Sequence, residues 1–164
     1  MASKINDDLS CNRLTPKSFD CPANSITNPA IPAGEQLDAT KVRHHHHARY
    51  AQLSATTTTA ATQVIHVARF AGTLMDLVGG VVGVLTGNAT TTIDIKKNNV
   101  SVLSGTIGLD NANTARVVEA ATINPSLAAY VAGDVFEIVI TVNAGTGALG
   151  TGVFAEALFD EKSQ

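Results

Sequence analysis

A chain of 164 residues with eleven basic and fourteen acidic side chains carries a net charge of −3 and has the length of one domain with room for an appendage. That balance argues against a general nucleic-acid binder, which would show a basic footprint. The longest apolar run, residues 77–85, is about half of the ~20 residues a membrane-spanning helix needs.

Hydrophobic residues make up 45 % of the chain, but aromatics only 4 %, and Trp is absent. The apolar weight falls on Val, Ile, Leu and Ala, with much Thr and Gly. β-Branched side chains sit readily on a pleated, half-buried surface, so this mixture favours sheet over helix. Charged residues are 15 %, against about 25 % in an ordinary soluble domain. A surface so poor in charge is either rich in Thr, Ser and Asn or covered by neighbours.

Residues 1–40 read as an extended N-terminal arm, and residues 41–164 as one domain. Four of the five prolines, Pro16, Pro22, Pro29 and Pro32, fall in the arm. Proline lacks a donor and pushes the preceding residue toward extended backbone, so neither helix nor central strand can run through. Met1 to Leu9 lack the apolar core of a signal peptide. Cys11 and Cys21 are expected to be thiols in a reducing compartment. Leu9, Leu14, Phe19, Ile26 and Ile31 recur at intervals of five to seven residues. Such anchors let an arm lie across a partner and order there, which hydrophobe-free tails cannot do.

Beyond the arm, short strands separated by turn residues are expected near 41–52, 62–70, 72–78, 81–86, 90–97, 100–104, 114–123, 134–143 and 152–160, the spacing of a sandwich or barrel. Asn98-Asn99 tolerates positive φ and should close a two-residue hairpin pairing Lys97 with Val100 and Ile95 with Val102. Ile93, Ile95, Val100 and Val102 then share a face. In residues 134–143, Phe136, Ile138, Ile140 and Val142 form one face, with Val135, Glu137, Val139 and Thr141 opposite. In the last strand Val153, Ala155, Ala157 and Phe159 oppose Phe154, Glu156 and Leu158. Sheets with one wet face alternate apolar with polar. Apolar residues on both faces point to burial in an oligomer, with Phe154 and Leu158 at its interface.

Gly145-Thr-Gly-Ala-Leu-Gly150 matches the dinucleotide fingerprint, but a strand rather than a helix follows, and no acidic residue stands about twenty positions on. These glycines read as a flexible hairpin loop. His44 to His47 form a run in a strand, where His44 and His46 share one side with Ala48 and Tyr50. Arg43, His45, His47 and Arg49 share the other. The second side is a basic stripe, expected to meet an acidic or polar partner surface, with His44 and His46 packed more tightly. A cupin-like metal set would need a Glu soon after the run, and none follows before Glu119, although His66 could serve as an extra ligand. No metal, cofactor or catalytic residue is assigned. There is no G-x-S-x-G elbow, H-E-x-x-H or Walker loop, and the chain is expected not to be an enzyme.

The Pro-rich arm, the Ala132-Gly-Asp-Val-Phe-Glu-Ile-Val-Ile-Thr141 strand and the glycine loop at 145–152 together resemble the capsid decoration, or cement, proteins of tailed bacteriophages over about residues 40–160. The resemblance implies an all-β fold: a single antiparallel, jelly-roll-like β-sandwich preceded by the arm. It implies a homotrimer on the outer surface of the virion that clamps neighbouring major capsid subunits, with no nucleic-acid or membrane partner. The alternative is a head or tail fibre, or a carbohydrate-binding adhesion module using loops near 105–113 and 144–152. Those loops hold no Trp, Tyr or Phe to stack on a sugar.

Overall fold

β-Branched residues in alternation set the strands of this chain, and twelve lie within residues 43–162, the part that the structure, a computed structural model, describes. The arm, its five apolar anchors, both cysteines and the boundary at residue 40 lie outside the described residues. In chain order the strands are β1 (Arg43–Ala51), β2 (Ala61–Val67), β3 (Gly72–Gly83), β4 (Thr90–Lys97), β5 (Val100–Ser101) and β6 (Leu103–Gly105). They continue with β7 (Ile107–Leu109), β8 (Glu119–Ala120), β9 (Thr122–Ile123), β10 (Ala129–Tyr130), β11 (Val135–Asn143) and β12 (Thr151–Lys162). No helix occurs among the described residues.

One sheet has the order β1-β12-β3-β10, with β8 also on β3; the other has β2-β11-β4-β5, with β7 also on β4. A small ribbon pairs β6 with β9, and every ladder is antiparallel. The chain crosses from one sheet to the other at each step from β1 to β4, and again from β10 to β12. That alternation makes an antiparallel, jelly-roll-like sandwich. The all-β sandwich expected from composition and strand spacing is therefore the fold.

The core lies between the sheets, where Leu74, Leu77 and Val81 of β3 and Val153, Ala155, Ala157 and Phe159 of β12 meet Ile93 and Ile95 of β4 and Phe136, Ile138 and Ile140 of β11. Leu74 and Leu77 are three apart yet both buried. A register shift opposite Leu158/Phe159 supplies the reason: Leu158 pairs with Asp76 and Phe159 with Leu74, so Met75 is an extra residue in β3 and stands exposed.

Several expectations are corrected. Gly79 and Gly80 do not divide two strands; they lie inside continuous β3. They are small because of close approach: a Cβ on Gly79 would stand 2.6 Å from Ile93 Cδ1, and one on Gly80 would stand 2.5 Å from Val117 O. The expected strand 114–123 is only β8 and β9, which belong to different sheets. Residues 145–150 are not a hairpin loop, because β11 and β12 lie in opposite sheets. Nor does this loop hang free. Thr146 N donates to Asn88 Oδ1 at 2.6 Å, Ala148 N donates to Thr86 Oγ1 at 3.0 Å, and Gly147 leaves no room for a Cβ beside Thr86 O.

The Asn98-Asn99 hairpin has the expected register, with φ of 50° and 69° at its two residues. Val102 N donates to Ile95 O at 3.1 Å. Ile93, Ile95 and Val102 are buried, but Val100 is 58 % exposed, because its partner Lys97 lies at the sandwich rim and donates to Leu127 O and Ala129 O.

Candidate functional site

Strand β1 runs along one edge of the first sheet and presents its histidines in two directions. On the outward side His45, His47 and Arg49 are exposed and pair in register with Asp160, Leu158 and Glu156 of β12. Glu156 gathers two of them: His47 Nδ1 donates to its Oε1 at 2.6 Å, and Arg49 Nε donates to its Oε2. His45 Nε2 stands 3.7 Å from Asp160 Oδ1. Partial burial pushes the Glu156 carboxyl up, but the hydrogen bonds and charge of His47 and Arg49 outweigh it and hold the group below its ordinary value. The basic stripe read from the sequence is thus balanced by acids of the same chain, one strand away.

On the inward side Ala48 and Tyr50 are buried and His46 is half-buried, while His44 is exposed. The expectation that His44 packs tightly is corrected: it sits at the strand's outer end, opposite Glu161, beyond the core. The His46 ring stacks on Phe159, with centroids 5.1 Å apart and planes 11° apart.

His66 approaches the same spot from β2, at the edge of the other sheet. In a regular strand Val64 and His66 would share a face. A bulge changes that, because Glu137 pairs with Val64 but Phe136 pairs with His66, leaving Ile65 as the extra residue. Val64 therefore points out, and His66 turns in toward the core. Its ring lies 4.5 Å from those of His46 and Phe159.

Glu161 of β12 completes the group. Val153, Ala155, Ala157 and Phe159 all face inward, and the same alternation carried one step further turns Glu161 inward too. Its Oε1 accepts from Arg69 N and Phe70 N, at 3.1 Å each, and lies 3.9 Å from His66 Nε2. Its Oε2 lies 3.9 Å from His46 Nδ1. His46 Nε2, His66 Nε2 and Tyr130 Oη are all buried without a hydrogen-bond partner. Burial holds the His66 imidazolium pKa below its ordinary value, helped by nearby His46 and opposed by Glu161. Burial, Glu161 and Asp160 together push the Tyr130 phenol well up.

The two imidazoles and the carboxylate offer ligand atoms that lie within 4.8 Å of one another, the one such group among the described residues. Sequence reading considered His46 and His66 as possible ligands but missed Glu161 and Tyr130. The signal for Glu161 is the inward alternation of β12, which continues past the strand end expected at residue 160. Phe154 and Leu158 are half-buried on the outer face, and the Phe154 ring lies over Gly80. Arg43 is the first residue of β1. Compared with known proteins, the chain matches no family model and no curated protein.

Proposed function

We propose that this chain is a structural, non-enzymatic protein: a decoration protein that binds the outer surface of a tailed-phage head, clamps neighbouring major capsid subunits and associates as a homotrimer. The observation that carries this reading is a valine-rich strip on the outer face of the second sheet, interrupted by Glu137 opposite Val64. Val64 and Val67 of edge strand β2 are about half exposed, beside half-buried Val135 and Val139 of β11. The sandwich already has a closed core without them, so such a strip on an edge strand suits burial against another protein. The anchors Leu9, Leu14, Phe19, Ile26 and Ile31 add a second means of attachment. The adhesion reading has less support, since neither loop offered for sugar binding carries an aromatic ring.

Mass measurement of the purified chain at micromolar concentration is expected to give three copies, and Val64→Asp with Val67→Asp to give one. Purified particles should carry many copies on their outer surface. Deleting residues 1–38 should leave a folded domain that no longer stays on the particle. A chain absent from purified particles, or a truncated chain that decorates them fully, overturns the proposal.

A further inference from the structure

We propose that His46, His66 and Glu161 bind one divalent transition-metal ion, of the zinc, cobalt or ferrous class, at the seam where the edge strands of the two sheets meet. Two imidazole nitrogens and a carboxylate oxygen are a donor set suited to these ions, and three protein ligands leave a further position open. Metal–ligand bonds of ~2.0–2.2 Å put tetrahedral donors roughly 3.3 Å apart. His66 Nε2 stands 3.9 Å from Glu161 Oε1 and His46 Nδ1 3.9 Å from its Oε2, and the three ligand atoms lie within 4.8 Å of one another, so the side chains would draw together about an ion.

Three further features fit an ion. The first is support for the carboxylate: the Arg69 and Phe70 amides fix Glu161 Oε1, as outer partners commonly fix metal ligands. The second is unmet polarity. Among the described residues no lysine or arginine side chain pairs with Glu161, and His66 Nε2, the nitrogen that faces it, is buried without a hydrogen-bond partner. Burying such a set is costly unless something bonds to it. The third is access, since the His46 side chain is 33 % exposed while those of His66 and Glu161 are 13 % exposed. That leaves one open side for an ion to enter. Because His46 and Glu161 belong to one sheet and His66 to the other, the ion would tie the two sheets together at their edge.

The test uses the full chain, stripped with chelator and dialysed, then titrated with zinc by calorimetry and with cobalt by visible absorption. One ion per chain is expected, with a Tm that rises with the logarithm of zinc concentration. Loss of an outer-shell partner alone weakens metal sites about 10–100-fold, so His66→Gln and Glu161→Gln should each weaken binding by more than ~100-fold. His44, His45 and His47 form a surface run that could chelate by itself. The triple change of these three to Gln is expected to leave affinity and stoichiometry unchanged. Binding that survives His66→Gln and Glu161→Gln but is lost in the triple variant overturns the proposal, as does no stoichiometric binding by the unaltered chain. Should His66→Gln not fold by circular dichroism, Glu161→Gln and His46→Gln decide the matter by the same readouts.

Discussion

The two faces of β1 place the same residue type in opposite conditions within one strand. His45 and His47, on the outer face, stand in water beside Asp160 and Glu156. His46, between them in sequence, stacks on Phe159 and keeps a buried nitrogen with no partner. Alternation, not residue chemistry, makes the difference. A run of four histidines is therefore not one feature but two. One is a solvated ion-pair surface, and the other is part of a polar knot set into an aromatic core.

The sharpest way to break the comparison is to remove what the inner face rests on. Phe159 is fully buried and touches the rings of His46, His66, Tyr130 and Phe136. Phe159→Ala should cost about 3–5 kcal/mol in urea unfolding, since a cavity would open where several rings converge. A loss under about 1 kcal/mol would mean that the inner face is not packed as described.

A smaller effect sharpens it. In chelator-treated protein His46→Leu removes a buried nitrogen that nothing satisfies while keeping an apolar body over Phe159. Stability should stay level or rise by up to about 1 kcal/mol, because unmet buried polarity is itself a cost. A clear loss of stability would show that the His46 nitrogens make bonds in solution that the structure does not contain.

The fold was more legible than the site, for a physical reason. The bounds of residues 90–97 and the inner and outer faces of β11 and β12 follow from the sequence, because period-2 alternation and Asn-Asn turn chemistry act locally. Gly79-Gly80 misled, since glycine that makes room for Ile93 and Val117 looks in sequence like glycine that turns the chain. Gly145–Gly150 misled likewise, because a hairpin and a crossover between sheets use the same residues. The metal-ligand group needs three strands brought together by the sandwich topology and a bulge at Ile65 that turns His66 inward. Neither was visible before the register was known.

The smallest effect concerns the outer face and carries a pH signature. His47 and Arg49 hold the Glu156 carboxyl below its ordinary value of 4.5, more than offsetting the upward push of partial burial. A carboxyl whose folded pKa is depressed adds stability that is fully present above the unfolded value and is lost as pH falls through the folded one. The contribution should therefore be flat near neutral pH and disappear only in acid, below about 4.5. Exposed ion pairs are worth roughly 0–1 kcal/mol and weaken with salt. Glu156→Gln should lower stability by no more than that at pH 7, and by less in high salt. Once pH has fallen through the depressed folded value, the variant and the unaltered chain should unfold together, because both then carry a neutral side chain at this position. A difference that does not shrink as pH falls through the acid range would mean that Glu156 contributes through packing against Arg49 and His47 rather than through charge. The outer face of β1 would then be a packed surface like the inner one, and the contrast between the two would fail.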